Sequence, residues 1–158
     1  QEAAVVSAVR KVSTLPLITK LSPNVTKIGD FARCAVDHGS DMISLINTIP
    51  GMAIDLETRK PRIANITGGY SGPGIKPIAL RMVYEARKAV KVPIIGMGGI
   101  FNATDALEFL MAGANAIAVG TAIFSNPKCL LEIPEGIQAW LDEHHIASVA
   151  DITGTLLA

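Results

Sequence analysis

The sequence predicts an α/β fold built on a parallel β-sheet. Four short apolar segments alternate with longer segments whose apolar residues recur every three or four positions. Parallel strands buried on both faces read as nearly continuous apolar runs, and amphipathic helices between them cover the sheet. The alternation therefore indicates about four βα units in one domain spanning residues 1–158.

The first unit begins with a strand at residues 15–21, after a short amphipathic stretch that reads as a helix. Its segment LPLITKL is apolar, is too short for a helix and is entered through Pro16. The helix that follows is predicted to end at Gly39. The apolar residues on one face of that helix are Ile28, Phe31, Ala32, Ala35 and Val36.

The other units repeat this pattern. Their strands are predicted at residues 42–46, 92–97 and 116–119. Pro77 opens the helix after the first of these strands, and Gly113 closes the helix after the second. Residues 48–75 form a long connection that contains GGYSGPG, and such a connection is typical of a functional or disordered loop, here a lid or a cofactor wall. A last helical region surrounds residues 137–141.

Two architectures fit this order: an open doubly wound sheet, or a portion of a TIM (β/α)₈ barrel, which has about 250 residues. Every predicted strand ends in polar or glycine residues. Barrels build their sites from the loops after all strands, whereas open sheets bind ligands mainly at one switch point. The strand ends therefore favour the barrel.

Composition limits the classes of partner. The chain has 14 basic and 14 acidic side chains, so no net charge attracts nucleic acid or an anionic membrane surface. Its apolar residues make up 49% of the chain, yet no apolar run reaches the roughly 18 residues of a membrane span, and the first residues do not resemble a signal peptide. We expect a small-molecule partner and a cytoplasmic location. Cys34 and Cys129 lack metal-ligand spacing, so no metal site is expected.

Glycines at the ends of the third and fourth strands predict a phosphate site. GMGG ends at Gly98 and Gly99, and GTA contains Gly120 and Thr121. Glycine lets backbone N–H groups approach an anion, a following helix start adds partial positive charge, and the threonine adds a hydroxyl donor. Either motif alone could equally be a tight turn, but the pair favours the phosphate interpretation.

Three further polar residues are candidates at the strand ends. Lys20 follows apolar residues and could bind an anionic ring or carboxylate, although it could also extend into solvent. Asn47 and Thr48 could bind a planar, amide-like ligand through a donor and an acceptor, or could simply cap a strand.

Several long motifs then resemble the second half of class 1 dihydroorotate dehydrogenases. In chain order these motifs are KLSPN, SLINTIPGMAID, RKPRIAN, GGYSGPGIKPIALRMVYEA, PIIGMGGI and AIAVGTAIF. GMAID and IKPIALRMVYE are similar to the B-type, NAD-linked catalytic subunit. The resemblance implies that residues 1–158 are the carboxyl-terminal half of a single FMN-binding TIM (β/α)₈ barrel. The sequence also begins without methionine inside an apparent helix, and we expect it to be a piece of a longer chain.

The resemblance implies FMN-dependent oxidation of (S)-dihydroorotate to orotate in de novo pyrimidine (UMP) biosynthesis. NAD is then the final acceptor, reached through a partner subunit that carries FAD and a 2Fe–2S cluster. The implied assembly is a homodimer of catalytic subunits within a heterotetramer.

The resemblance also implies residue roles. Lys20 would contact the FMN isoalloxazine, with the backbone of Ile46 and Gly72 beside the flavin. Asn47 and Thr48 would bind dihydroorotate or orotate. The residues implied to hold the FMN phosphate are Gly98, Gly99, Gly120 and Thr121.

The family's catalytic base is a cysteine on a loop before the KLSPN strand, so no catalytic residue is assigned here. Cys34 and Cys129 do not match that motif, and Tyr70 stands where most members have leucine. Without the first four strands, the isolated chain is expected to be inactive and to pair through its open sheet edges. Two alternatives stay open: the pyrimidine-site domain of dihydropyrimidine dehydrogenase, and a non-catalytic half-barrel that binds FMN or another phosphate ligand.

Overall fold

The structure is a computed structural model that describes residues 2–157. In these residues the α-helices are α1 (Glu2–Val12), α2 (Ile28–Asp37), α3 (Lys76–Ala89), α4 (Ala103–Met111), α5 (Ala122–Ser125) and α6 (Cys129–Glu143). The strands are β1 (Ile18–Leu21), β2 (Met42–Leu45), β3 (Ile49–Met52), β4 (Ile54–Asp55), β5 (Lys60–Pro61), β6 (Thr67–Tyr70), β7 (Ile94–Met97) and β8 (Ala116–Ala118). Short 3₁₀ turns cover Pro73–Ile75 and Val149–Asp151.

A parallel sheet in the order β1-β2-β7-β8 confirms the predicted α/β class. Each connection between these strands leads to the neighbouring strand in the sheet, always in the same direction. A doubly wound sheet reverses its strand order at a switch point, whereas a barrel continues in one direction. The observed order is therefore that of a barrel segment.

Helices cover one face of this sheet within residues 2–157. The other face is buried at Ser44, which is 5% exposed, but not along β1, so the predicted burial of both faces holds only in part. Leu21 and Leu45 face the helices and are buried. Alternate residues face the other way, and Ile18 there is 43% exposed, with Lys20 beside it also exposed. Consecutive right-handed crossovers between adjacent strands place their helices on the same side, which explains the bare face.

The core lies between the sheet and helices α2, α3 and α4. Phe109 of α4 is fully buried beneath β7, where an added Cβ on Gly96 would lie 2.6 Å from the Phe109 ring. Other fully buried side chains are Ile28, Ile43, Leu45, Val83 and Ile94. A smaller cluster made by Leu107, Leu110, Leu141 and Ile152 attaches α6 and the last residues to α4.

The connection at residues 48–75 is more regular than predicted. It contains two antiparallel ribbons, β3 with β6 and β4 with β5. Most of their residues are exposed, because main-chain pairing and not apolar burial defines them. Helix α6 is also longer than the predicted region and contains Pro134.

Two arginines make matching contacts in successive units. Arg10 of α1 donates through Nε to the carbonyl of Gly39 at 2.8 Å and pairs with Asp41. The arginine of α3, Arg87, donates through Nε to the carbonyl of Gly113 at 2.9 Å and reaches Asn115 Oδ1 at 2.6 Å. The matching side chains of Asp41 and Asn115 each accept one backbone N–H at the start of a strand region, from Leu17 at 2.7 Å and Ile94 at 3.0 Å.

These contacts fix where two helices end. Gly39 and Gly113 have φ of +108° and +114°, and both were predicted as helix-ending glycines. The arginine stems pass so close that a Cβ on either glycine would lie within 2.8 Å of an arginine Cγ. The same arrangement of arginine and glycine occurs in both units, and it fixes the position of each helix relative to its strand.

No helix within residues 2–157 has both the length and the apolar character needed to cross a membrane. The same residues contain no group of three or more His, Cys, Asp or Glu side chains arranged to hold a metal ion.

Candidate cofactor cleft at the strand carboxyl ends

A cleft of about 190 Å³ opens at the carboxyl ends of β2, β7 and β8. Eight of the nine site residues predicted from sequence line it. These eight are Ile46, Asn47, Thr48, Gly72, Gly98, Gly99, Gly120 and Thr121. The fold therefore brings together residues that are up to 75 positions apart in the sequence.

The end of β2 forms the polar side of the cleft. Ile46 is buried, and its N–H donates to the carbonyl of Met97 at 3.0 Å, which joins it to β7. Asn47 and Thr48 are exposed, and Asn47 Oδ1 accepts the N–H of Thr48 at 2.8 Å. That bond orients the carboxamide and leaves its NH₂ group available to a ligand acceptor.

The turn after β7 requires glycine for two reasons. Gly98 and Gly99 have φ of +125° and +78°, a region that side-chain-bearing residues rarely adopt. A Cβ on Gly99 would lie 2.8 Å from Lys76 and 2.9 Å from the carbonyl of Gly72. Tight packing against the start of α3 therefore accounts for the glycines on that side of the turn.

The turn after β8 faces open space. A Cβ built on Gly120 would meet no atom within 4 Å, and the same holds for Gly72 across the cleft. Thr121 Oγ1 donates to Ser71 Oγ at 2.8 Å. The backbone N–H groups of Gly99, Gly120 and Thr121 donate to no acceptor within residues 2–157, so they are available to a ligand.

No charged side chain is among the residues that line the cleft in the described chain. Lys76, whose backbone packs against Gly99 of the β7 turn, binds Asp105 at 2.6 Å and Glu108 at 2.8 Å. The hydrogen bonds that Lys76 donates to these carboxylates, the one to Asp105 foremost, raise the pKa of its ammonium group. An anion in the cleft would therefore meet neutral donors, as in other phosphate sites built from glycine turns.

Lys20 and both cysteines lie outside the cleft lining. Lys20 is exposed on the bare sheet face, next to Ser44 of β2 in the register. Cys34 is half-buried on α2, and Cys129 is buried at the start of α6. None of the described cleft residues carries a carboxylate, thiol or imidazole that could accept a proton.

Two residues of this region were missed by the sequence reasoning. Ser71 lies within the glycine-rich segment GGYSGPG, and its hydroxyl in a predicted ligand loop was the available signal. Asp105 lies three residues after Asn102, and this spacing is typical of reciprocal capping at a helix start.

The fold and the cleft define a singly wound α/β protein that offers open glycine backbone and neutral donors to a ligand at the carboxyl ends of its strands. The chain belongs to the dihydroorotate dehydrogenase family. A sequence model of that family, described as "Dihydroorotate dehydrogenase", matches residues 1–141. This is a TIM-barrel family, in agreement with the one-directional strand order.

Curated relatives are similar over nearly the whole chain. Proteins named "Dihydroorotate dehydrogenase B (NAD(+)), catalytic subunit" from Pelobacter propionicus and Geotalea uraniireducens are 57% and 56% identical to it, and they match 96% and 97% of this chain. The protein of the same name from Trichlorobacter lovleyi is 56% identical over 98% of this chain. The chain spans about half the length of these relatives, since the matches cover 50%, 50% and 51% of them.

Proposed function

We propose that the protein containing this chain oxidises (S)-dihydroorotate to orotate with FMN, in de novo UMP biosynthesis. The observation that carries this proposal is the meeting of the Gly98–Gly99 and Gly120–Thr121 turns with Asn47 in one cleft, in a member of this family. The two turns supply hydrogen-bond donors for a phosphate, and Asn47 supplies a carboxamide for a planar ring.

The residues present fit FMN. Free N–H groups at Gly99, Gly120 and Thr121 would bind the phosphate, because nothing in the described chain uses them. The open space above Gly72 and Gly120 allows a ligand to approach the backbone closely. The isoalloxazine would lie beside the backbone of Ile46 and Gly72, with Lys20 in contact. When bound, FMN supplies the acceptor for a hydride from the substrate.

Asn47 and Thr48 would bind the substrate. Asn47 Oδ1 is already used by the Thr48 N–H, so the free NH₂ group would donate to a carbonyl or carboxylate oxygen of dihydroorotate. This fixed orientation favours one placement of the ring relative to the flavin.

Oxidation also requires a base for the substrate proton that leaves as the hydride departs. Because no side chain that lines the described cleft is a carboxylate, thiol or imidazole, we assign this proton to a cysteine outside the 158 residues, as the resemblance implies. The chain described here would then bind and orient the reactants, and by itself it would not turn them over.

NAD as final acceptor, reached through a partner subunit with FAD and a 2Fe–2S cluster, belongs to the same proposal. It is supported by the name of the relatives, which describes a catalytic subunit and NAD(+). A homodimer of catalytic subunits within a heterotetramer, and a cytoplasmic location, complete the proposal.

The test is anaerobic addition of dihydroorotate to the FMN-loaded protein expressed from its complete gene. Bleaching of the flavin absorbance with formation of one orotate per flavin is expected. Asn47→Ala should slow this reduction about tenfold to hundredfold, the cost of one lost substrate hydrogen bond, while FMN stays bound. Asn65→Ala, in the exposed ribbon segment, is the matched control and should react normally. Flavin that stays bound but oxidised would contradict the enzyme assignment and favour a binding-only role.

A further inference from the structure

Asp105 is the one acidic residue that is buried within residues 2–157, and it contacts the loop that contains the candidate phosphate turn. It lies in the first turn of α4 and is 8% exposed. Its own N–H donates to Asn102 Oδ1 at 2.9 Å, which caps the helix. A carboxylate at this position is favourable for the helix dipole, but that role requires neither burial nor a partner on another element.

The two carboxylate oxygens of Asp105 bind two different segments. Oδ2 accepts the backbone N–H of Phe101, in the loop after β7, at 2.9 Å. Oδ1 accepts Lys76 Nζ, at the start of α3, at 2.6 Å. Lys76 comes directly after the glycine-rich segment that follows β6. The Asp105 side chain therefore joins this segment to the loop after β7, and both border the cleft.

These two loops are in direct contact at their glycines. A Cβ on Gly99 would lie 2.8 Å from the Lys76 backbone N, so the phosphate turn and the start of α3 have no room between them. Gly72, with φ of +98°, contributes the carbonyl on the same side. A change in the Asp105 contacts would therefore move residues whose N–H groups face the cleft.

We infer that Asp105 is a positioning residue, which sets the β7 turn against the start of α3 so that the turn's N–H groups point at the ligand phosphate. This inference rests on the proposed FMN site. Glu108 also binds Lys76, but it has no hydrogen bond to the β7 turn within the described residues. The two carboxylates on α4 therefore differ in role although they share a lysine.

Asp105→Asn tests the inference because asparagine has one acceptor oxygen where aspartate has two. In either orientation its NH₂ group faces the Phe101 N–H or the Lys76 ammonium. Lys76→Met cuts only the connection to α3, and Glu108→Gln is the matched control that leaves both Asp105 contacts in place. All variants are made in the protein expressed from its complete gene.

The first measurement is hydrogen–deuterium exchange across residues 98–102 without flavin. Exchange in Asp105→Asn should be about tenfold faster than in the wild type, since either orientation of the amide breaks one of the two Asp105 contacts that hold this turn against α3, and Glu108→Gln should be unchanged. Equal exchange in the wild type and Asp105→Asn would overturn the inference, whether or not FMN binds. If Asp105→Asn does not fold, the binding of FMN and riboflavin by Lys76→Met, described next, decides whether Asp105 positions the turn.

The second measurement compares FMN with riboflavin, which lacks the phosphate. Asp105→Asn and Lys76→Met should weaken FMN binding about tenfold and leave riboflavin binding unchanged. An equal loss for both flavins, or no loss for either, would contradict positioning of the phosphate turn. Absence of FMN binding in the folded wild type would instead contradict the proposed function, and the exchange result would still decide the role of Asp105.

Discussion

Thr121 Oγ1 donates a 2.8 Å hydrogen bond to Ser71 Oγ and so connects two cleft loops that are 50 residues apart in sequence. One hydroxyl proton is used in this bond, and the other remains for a ligand. The turn after β8 and the segment after β6 thus act as one binding surface, with Gly120 and Gly72 facing open space on either side.

Ser71→Ala removes this connection. We expect FMN affinity to fall about threefold to tenfold, since a hydrogen bond of this kind contributes about 1 kcal/mol. Fluorescence titration of the variant with FMN measures the change. Thr153→Val, which removes a hydroxyl bonded to Val149 in the last described segment, should bind like the wild type. Equal affinities in Ser71→Ala and the wild type would show that the pair does not shape the site.

Gly120→Ala tests whether the open space belongs to a ligand. The added methyl group meets no protein atom, so the free energy of unfolding should change by less than about 0.5 kcal/mol. FMN binding should weaken about tenfold or more, because the methyl group enters the proposed phosphate position. Calorimetry without ligand and titration with FMN measure the two effects separately. Unchanged affinity would exclude close approach of the ligand to this turn.

Gly96→Ala is the opposite case, a glycine required by packing. Its Cβ would lie 2.6 Å from the Phe109 ring and 3.1 Å from the Ala114 methyl, in the centre of the core. We expect a loss of about 1–3 kcal/mol in the free energy of unfolding, measured by urea denaturation. Stability equal to that of the wild type would mean that α4 can move away from β7 at no cost.

Asp41 should make folding sensitive to acid. The Leu17 backbone N–H, and then the Arg10 guanidinium, lower the pKa of Asp41 below its ordinary value of 3.8. A lowered pKa in the folded state contributes stability that is present above pH 3.8 and lost as the pH falls through the folded value. Asp41→Asn copies the residue found at Asn115, the equivalent position, and cannot titrate in this range.

The measurement is the difference in unfolding free energy between the wild type and Asp41→Asn as a function of pH. The difference should be constant from neutral pH down to about 5 and should shrink below pH 4. A difference that stays constant through pH 3 would show that the Asp41 contacts do not discriminate between its charged and neutral forms.

Much of the fold could be predicted because apolar periodicity reports burial. The four sheet strands and the helix-ending Gly39 and Gly113 follow directly from it. The ribbons formed by β3 with β6 and β4 with β5 could not be predicted, since the sequences TGGY and IPGM have neither an alternation of apolar and polar residues nor an apolar run. The exposure of one sheet face could not be predicted for a different reason: the apolar sequence pattern of a strand is the same whichever structure covers it.

The site was predictable to the extent that strand ends converge. Glycine turns and Asn47 follow strands, so the parallel order alone places them together. Ser71 and Asp105 act through contacts between elements, at distances that the sequence does not encode locally. The role of Lys20 remains a prediction, because it lies on the sheet face that the described residues leave bare.

Retention of flavin by the purified protein is the most direct test of the proposed FMN site. The protein is mixed with FMN, freed of unbound ligand and examined by its visible absorbance, beside Thr121→Glu, which places a carboxylate where the phosphate is proposed. We expect about one FMN per wild-type chain and little in Thr121→Glu, with both proteins folded by circular dichroism. A folded protein from the complete gene that retains no FMN, or equal retention by both proteins, would contradict the assignment of the cleft.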